Sequence, residues 1–597
     1  MKIKAVEVQN KGCNWLINFA VVFIAVYLQE YIFRGNMGDT SRWVLFDFEM
    51  FLINYLLNYL FYNIALMLLG RREWAVLGYA TMVILLSSIN HYKLMYKGDV
   101  LLVSDYKMLK EAINILGHYK IDIYVPIIIA LLIITAMVIS LNQLVVYELS
   151  KKYRVILGIL SVGMLIGCIG IIRQGNWLER GKVECVNEYL AINRYEKRGL
   201  LLGMIKEVPT PLKAPENYSR ELVEMVIEQE RRILNSDVQD SALPHIIMIM
   251  NETFYDIERF DELEFNQEIM PHLKKYQEMF SGGKLITPSY GGMTCQVEYE
   301  VLTGYPVSNS DGKIGYMELI SREMDSLVSV FKSHGYVTHA LHPYTKQYFK
   351  RNRVYEFMQF DSMTFIEDME GLSYEGQYVS DKYVYQQLIR RFEARNQGEP
   401  FFAHIVTMQN HGGHSYIYDK HGVKELRQFG TNKNKSLETY ANLLKESDES
   451  LAYLVEYFEA QNEPVIIVFY GDHAPNFAGL NWNPFANSNN IDEVLKQYTT
   501  PLLIWNNIGL TKQDYGYINA YKLGAEVLNM IGIYDDPYFN LVNASQGMSV
   551  NGVAIREEQG QVQPAENTED YRAEMNKLWL LQYDRLFGKQ YAKQMVD

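Results

Sequence analysis

The chain is 597 residues long, carries a formal net charge of −14 and is 49% hydrophobic. This length exceeds that of one ordinary domain and predicts two or more. The acidic balance argues against a nucleic-acid-binding protein, which needs a basic face. The cysteines show no zinc-ligand spacing and predict no disulfide framework; they are Cys13, Cys168, Cys185 and Cys295.

Five apolar segments in the first third of the chain have about the length that crosses a bilayer core, roughly 20 residues. They lie at about 14–33, 51–70, 74–90, 123–141 and 155–172. A buried core helix could explain any one of them, but five in series indicate a multi-pass membrane protein. The first is too long for a signal peptide and lacks a small-residue cleavage site.

Lysine and arginine residues in the short flanks orient the spans, because they favour the cytoplasmic side. They precede the first span, separate the second from the third, and precede the fifth: Lys2, Lys4, Lys11, Arg71, Arg72, Lys151, Lys152 and Arg154. All three groups fall on one side, which we expect to be the cytoplasm. With five spans, the N-terminus is then cytoplasmic and the chain after the fifth span is extracellular.

The rest of the chain changes character twice. Up to about residue 240 it is charged and helix-prone, and ELVEMVIEQERRIL has apolar residues at helical spacing. Beyond that point, amphipathic segments separate five short apolar runs: HIIMIM, GYVTHAL, FFAHIVTM, PVIIVFY and TPLLIW. This alternation predicts an α/β fold with a mainly parallel sheet. We therefore predict a transmembrane domain (1–175), a helical connector (176–240) and an extracellular domain (241–597).

Potential ligands follow four of the predicted strands. HIIMIM leads to Glu252, PVIIVFY to Asp472 and His473, FFAHIVTM to His411, and GYVTHAL reaches His342. Ligands of open α/β sheets bind beyond the carboxyl ends of the strands, so these side chains predict a site at one sheet edge. Two carboxylates and an imidazole suit Mn²⁺, Zn²⁺ or Mg²⁺, and a soft-metal site is not indicated.

The stretch GGMTCQVEYE places Thr294 between a glycine pair and a helical pattern. Glycines let backbone N–H groups approach an anion closely, and a hydroxyl beside a bound cation becomes a nucleophile near neutral pH. A plain helix N-cap remains an alternative for Thr294, and a capping or salt-bridging role remains one for Glu252. The positions taken together favour a site.

These motifs resemble the lipoteichoic acid synthases of Gram-positive bacteria, members of the alkaline phosphatase–sulfatase superfamily. The matching stretches are IMNETF, GGMTCQVEYEVLTGYP, HPYTKQYFKRNRVYEFMQFD, VTMQNHGGH, VFYGDHAP and QYDRLFGKQY. The resemblance implies a sulfatase-like α/β/α extracellular domain behind five membrane helices. It also implies a transferase that takes glycerol phosphate from phosphatidylglycerol and passes it to a lipid-anchored acceptor, either a lipoteichoic-acid chain or a glycolipid.

The resemblance further implies the metal and the nucleophile. One Mn²⁺, for which Mg²⁺ is a substitute, would be bound by Glu252, Thr294, Asp472 and His473. Thr294 would attack phosphorus and hold a glycerophosphoryl group. His411 would act as acid/base or as a phosphate ligand.

The substrate pocket is implied in the same way. His342 and Arg351 match residues that contact the glycerol phosphate. Phe349 stands where the family has a tryptophan, and Lys350 stands where it has an asparagine. These departures concern the group that is transferred and leave the metal ligands unchanged.

Other functions compete with this interpretation. A sulfatase is excluded, because maturation of Cys295 would need proline and arginine where Val297 and Tyr299 stand. A phosphoethanolamine transferase shares the spans and the threonine nucleophile, but usually has more metal-site histidines and several disulfides. A lipid phosphodiesterase would use the same residues with water as the acceptor. A non-catalytic sensor typically loses a metal ligand, and all four are present.

Overall fold

The computed structural model describes residues 6–8, 11–97, 100–109, 113, 123–146, 150–174, 191–206, 212–231, 243–310, 313–426, 434–480, 482, 484, 491–550, 553–558, 561–564 and 569–595. The chain divides into two compact units: a membrane unit of Met1–Met95, Asp99–Tyr106 and Ile121–Val208, and a globular unit of Pro209–Asp597 together with Tyr96–Gly98 and Lys107–Lys120. The boundary at 208/209 falls inside the segment predicted as a connector, and the three predicted domain limits stay a prediction.

Five helices among the described residues are long and apolar enough to cross a membrane. They are Leu16–Arg34, Phe48–Leu69, Arg72–Met95, Val125–Gln143 and Lys151–Ile172. These helices confirm the five predicted spans. The unit also contains the short parallel strands β1 (Val6–Val8) and β2 (Leu144–Val146), and the helices Met37–Phe46, Val103–Met108, Ala191–Arg198 and Leu200–Lys206.

Polar side chains of two spans form hydrogen bonds to the last described helix of the membrane unit, Leu200–Lys206. The first amide of the Leu200–Lys206 helix donates to Glu30 Oε1 at 2.8 Å, and the Leu202 amide donates to Asn54 Oδ1 at 3.1 Å. Both acceptors lie in spans and are fully buried. Backbone groups at a helix start need such partners where water is excluded, so this helix is anchored to the spans.

An eight-stranded sheet in the order β12-β4-β11-β10-β3-β9-β5-β6 forms the centre of the globular unit. Its strands are β3 (His245–Asn251), β4 (Ser281–Ile286), β5 (Val337–His342), β6 (Ser362–Phe365), β9 (Phe401–Val406), β10 (Val465–Gly471), β11 (Thr499–Asn506) and β12 (Asp514–Asn519). The five strands from β10 to β6 are parallel, and β11 is antiparallel to both neighbours. Short strands lie outside it: β7 (Tyr374–Glu375), β8 (Tyr378–Val379), β13 (Met548–Val550), β14 (Val553–Glu558) and β15 (Gln561–Pro564).

Both faces of this sheet are buried, which explains the uninterrupted apolar runs of its central strands. Along β3, Ile246 and Met248 face one hydrophobic core while Ile247 and Ile249 face the other. The first core is covered by the helices Arg220–Arg231, Thr294–Thr303, Leu327–Ser333, Arg351–Phe357, Ala520–Met530, Pro537–Ala544 and Glu569–Leu586. The second is covered by Pro271–Met279, Asp381–Glu393 and Lys435–Glu459. The predicted α/β/α fold with a mainly parallel sheet is confirmed.

Candidate active site

Two neighbouring strand ends bring the acidic ligands together. Gly471 pairs with Asn251 at the ends of β10 and β3, so Asp472 and Glu252 leave adjacent strands side by side. Ligand atoms of Glu252, Asp472 and His473 all lie within 4.8 Å of one another, and all three residues are buried. Sequence reasoning expected this group, and the parallel register accounts for it.

Two atoms of this cluster lack hydrogen bonds. His473 Nε2 lies 3.2 Å from Asp472 Oδ2 and 3.6 Å from Glu252 Oε1, yet neither Asp472 Oδ2 nor His473 Nε2 has a hydrogen-bond partner among the described residues. His473 Nδ1 lies 2.9 Å from the Ala474 carbonyl oxygen, to which it can donate, leaving the Nε2 lone pair toward the carboxylates. Buried polar atoms are normally satisfied, so this donor set fits a divalent cation.

Burial and charge act together on Glu252. Burial first, and then the charge of Asp472, raise the pKa of Glu252 well above its usual range. Hydrogen bonds from Thr253 and Thr294 and the charge of Arg351 oppose that shift. A bound cation would favour the ionised form of this carboxylate.

Thr253 fixes the two carboxylates. Its amide donates to Asp472 Oδ1 at 2.7 Å, and its hydroxyl donates to Glu252 Oε1 at 2.8 Å. Its φ is +48°, a left-handed conformation that a β-branched residue seldom adopts. Such strain persists where the surroundings hold it, and it is typical of functional sites.

Thr294 is the first residue of its helix, and its side chain faces the cluster. Its hydroxyl donates to Glu252 Oε2 at 3.2 Å. The cap residue is Met293, which has a φ of +68° and makes no side-chain cap bond. Gly291 and Gly292 precede it at φ +65° and +150°. A left-handed turn therefore places the Thr294 hydroxyl on the cluster and not on its own helix terminus.

His411 follows β9 and is not one of the three residues of the described ligand cluster. Its side chain is half-buried, its ring centroid is 5.1 Å from that of Tyr378, and its Nδ1 lies 3.3 Å from the Gly412 carbonyl oxygen. The Thr407 hydroxyl accepts the Glu252 amide at 3.2 Å, which ties the end of β9 to the acidic ligand.

His342, Phe349 and Arg351 lie together in the interior. Each has an exposed fraction of 2% or less. Arg351 Nη1 and His342 Nε2 are 2.9 Å apart, and the guanidinium carbon lies 5.2 Å from the centroid of the Phe349 ring. Burial and the charge of Arg351 lower the pKa of His342 well below its usual range. His342 therefore accepts from the guanidinium through Nε2, while its Nδ1–H donates to the Val406 carbonyl at 3.1 Å.

One acidic residue in this region has no predicted role from the sequence. Glu298 is fully buried, and its Oε1 accepts from Arg351 Nε at 2.9 Å and from Nη2 at 2.5 Å. Its Oε2 accepts from the hydroxyl of Tyr355 at 2.5 Å. Glu298 comes four residues after Thr294, so both lie on one helix face. The four-residue spacing can be recognised in the sequence, but the contact between Glu298 and the buried Arg351 cannot be predicted from it.

Residues 244–533 match the sulfatase family model. This part of the chain is similar in sequence to sulfatase domains. A protein of Rhizobium meliloti (strain 1021), named "Putative cyclic beta-1,2-glucan modification protein", is 25% identical over 558 residues, which cover 88% of this chain and 84% of the relative. A second protein of that strain, the capsular polysaccharide biosynthesis protein RkpI, is 26% identical over 257 residues, which cover 42% of this chain and 45% of the relative.

Solved structures share the architecture. Streptococcus pyogenes phosphoglycerol transferase GacH, in complex with sn-glycerol-1-phosphate, superposes with a TM-score of 0.56 at 23% identity, covering 65% of this chain and 98% of that one. The lipooligosaccharide phosphoethanolamine transferase A (EptA) of Neisseria meningitidis has a TM-score of 0.50 at 10% identity, covering 87% and 95%. At these identities the likeness establishes the fold, and the chemistry has to come from the site.

Proposed function

We propose that the protein is a metal-dependent phosphoglycerol transferase of the outer face of the cytoplasmic membrane, with Thr294 as its nucleophile. The observation that carries this proposal is the Thr294 hydroxyl directed at a buried cluster of two carboxylates and one imidazole, beside two unsatisfied ligand atoms. The similarity to sulfatase domains, the membrane helices and the likeness in fold to a phosphoglycerol transferase support it.

Glu252, Thr294, Asp472 and His473 would hold one Mn²⁺, with Mg²⁺ as a substitute. A cation bound there would lower the pKa of a coordinated hydroxyl and neutralise charge on a phosphoryl oxygen. Glu252 Oε2 orients the Thr294 hydroxyl by accepting its proton in a hydrogen bond. The residues thus present one lone pair of the threonine oxygen toward an incoming phosphorus atom.

The reaction takes two displacements. The Thr294 oxygen forms a bond to the phosphorus of phosphatidylglycerol, its proton passes to Glu252 Oε2, and the bond to the diacylglycerol oxygen breaks. His411 protonates that leaving oxygen, while Arg351 donates to the non-bridging phosphoryl oxygens. An acceptor hydroxyl then forms a bond to the same phosphorus and releases Thr294, which regains its proton from Glu252, and His411 takes up the acceptor's proton.

The acceptor is a hydroxyl of a lipid-anchored polymer. A lipoteichoic-acid chain end and a glycolipid are the acceptors that the motifs imply. The relative that is named for cyclic glucan modification and covers 88% of this chain suggests a third candidate, a sugar hydroxyl of a glycan. A phosphoethanolamine transferase and a lipid phosphodiesterase are the alternatives, because both can use the same cluster.

Mass spectrometry of the full chain in detergent, incubated with Mn²⁺ and phosphatidylglycerol, tests the proposal. We expect a glycerol-phosphate adduct on Thr294 that is absent in Thr294→Ala. Thr303→Ala is the matched control, since Thr303 is a buried threonine of the same helix whose hydroxyl donates to the Tyr299 carbonyl. It should keep the adduct.

The outcomes separate the alternatives. An adduct formed only from phosphatidylethanolamine would make the protein a phosphoethanolamine transferase. Diacylglycerol release that yields free glycerol phosphate and no labelled glycan or polymer would indicate a phosphodiesterase. No adduct and no turnover of either lipid would refute a covalent transferase.

A further inference from the structure

A buried ion pair joins the helix that begins at Thr294 to the rest of the globular unit. Glu298 and Arg351 are 0% and 1% exposed, respectively. Arg351 Nε and Nη2 both donate to Glu298 Oε1, and Arg351 Nη1 donates to His342 Nε2. These three bonds occupy three of the five N–H groups of a guanidinium, so the side chain can donate further to an anion.

Stability alone does not account for this pair. Taking two charges out of water costs several kcal/mol per ion, and apolar residues of similar volume often replace such a pair without loss. The location offers a better reason, because Glu298 follows Thr294 by one helical turn. Burial alone would raise the pKa of Glu298, yet the Arg351 charge holds it well below its usual range, so the carboxylate stays ionised.

Hydrogen bonds tie three elements together. The helix that begins at Thr294 supplies Glu298, the start of the helix Arg351–Phe357 supplies Arg351, and the end of β5 supplies His342. The Tyr355 hydroxyl donates to the second oxygen of Glu298 at 2.5 Å. The guanidinium of Arg351 is therefore bonded directly to the helix that carries Thr294.

We propose that Glu298 is a positioning residue, which holds the Arg351 guanidinium so that it and Thr294 engage the same phosphoryl group. This inference rests on the proposed function in one respect, namely that a phosphoryl group is the ligand. It does not depend on the alcohol that the group carries. Misplacement of such a group by about 1 Å can cost a factor of about 100 in rate, which is the reason to fix it with a buried carboxylate.

Shortening this carboxylate while keeping its charge tests the idea. Glu298→Asp withdraws the carboxylate by about one C–C bond length. Glu300→Asp is the matched control, because Glu300 is buried in the same helix. Its carboxylate accepts the Val307 amide at 2.8 Å, and among the described residues it has no arginine partner. The full chain in detergent is titrated with Mn²⁺, with inorganic phosphate and with sn-glycerol 1-phosphate, and its melting temperature is recorded.

We expect Glu298→Asp to bind inorganic phosphate about tenfold more weakly than wild type, with unchanged Mn²⁺ affinity. Glu300→Asp should lower the melting temperature about as much as Glu298→Asp does, but it should keep the phosphate affinity of wild type. In an Arg351→Gln background, Glu298→Asp should cause no further loss, because the two residues then no longer act through each other. A merely structural role would leave the loss unchanged in that background.

Several results would overturn the inference: wild-type phosphate affinity in Glu298→Asp, an equal loss in Glu300→Asp, or no phosphate binding by the wild type. The sn-glycerol 1-phosphate arm concerns the proposed function alone. If the wild type shows no preference for it over inorganic phosphate while the Glu298→Asp effect persists, the transferred head group is wrong and the positioning role stands.

Discussion

Replacement of Asp472 by asparagine should separate the stability of the metal-free protein from its ability to bind a cation. In the structure, Asp472 Oδ1 accepts the amides of Thr253 and His473, both at 2.7 Å, and Oδ2 has no hydrogen-bond partner among the described residues. An asparagine can keep both amide bonds with its oxygen and place its NH₂ group at the unsatisfied position. The substitution therefore removes one charge and little else.

The size of the effect follows from the cluster geometry. Ligand atoms of Glu252 and Asp472 lie within 4.8 Å of each other. At an effective dielectric constant of about 20, two like charges at 4.8 Å repel by about 3.5 kcal/mol, and at shorter separations they repel more strongly. Proton uptake by Glu252, whose pKa is already raised, relieves part of this repulsion, so the gain in the metal-free protein is smaller than the full repulsion.

Thermal unfolding in EDTA measures the stability of the metal-free protein, and unfolding in Mn²⁺ measures the stabilisation by the cation. Where several unfolding transitions occur, the one whose midpoint shifts with Mn²⁺ is compared. Wild type at a hundredfold excess of Mn²⁺ over its Kd should gain about 2.7 kcal/mol, a few degrees in melting temperature. Asp472→Asn should show no such gain, while melting in EDTA no lower than wild type. Wild-type melting that ignores both EDTA and Mn²⁺ would refute the cation site.

The matched control is Asp448→Asn. Asp448 is a buried aspartate outside the cluster that accepts the amides of His272 and Leu273 at 2.9 and 2.8 Å, one on each oxygen. Asparagine there leaves one amide facing an NH₂ group, so it should melt lower by the same amount in EDTA and in Mn²⁺. If Asp472→Asn behaved like this control, the repulsion argument would be wrong.

Two further predictions concern pH and topology. Burial raises the pKa of Asp381 from its usual value of 3.8 to about 6. This group therefore stabilises the fold fully below pH ~4, and its contribution is lost as the pH rises through about 6. The difference between the two pKa values corresponds to about 3 kcal/mol of unfolding free energy. Melting curves in EDTA from pH 4 to 7 should therefore fall for wild type and flatten for Asp381→Asn, and parallel curves would contradict this. For topology, a membrane-impermeant maleimide should label Thr511→Cys in intact cells and Ser150→Cys only after permeabilisation; the reverse pattern would place the globular unit in the cytoplasm.

Local sequence pattern was sufficient for the spans and for the centre of the sheet. Each span has a continuous apolar run, and β3, β5, β9, β10 and β11 are β-branched runs buried on both faces. Three strands of the same sheet carry weaker signals. The six-residue strand β4 has glycines at its second and third positions, β6 has only four residues, and β12 is exposed at its first position. The antiparallel direction of β11 likewise depends on tertiary packing, which the sequence of a single strand does not predict.

The same distinction applies to the candidate site. Glu252, Asp472 and His473 follow strand ends directly, and parallel register brings such positions together whatever the rest of the chain does. The Glu298–Arg351 contact joins residues 53 positions apart across a turn of irregular backbone. No periodicity predicts it, so the interior placement of Arg351 and His342 became visible only in three dimensions.

The irregular turn at Phe349 and Lys350 is separate in sequence from the strand ends that carry Glu252, Asp472 and His473. Phe349 and Lys350 have φ values of +53° and +55°, and each such residue costs on the order of 1–3 kcal/mol. The turn persists because its neighbours hold it: Arg351 is bound by Glu298 and His342, and Lys350 Nζ donates to the Met317 carbonyl at 3.2 Å. Glu252, Asp472 and His473 take no part in these contacts. Under the proposed function, the phosphoryl chemistry at the strand ends would therefore be kept while this turn changes, and Phe349 and Lys350 of this turn are among the residues that depart from the lipoteichoic acid synthase pattern.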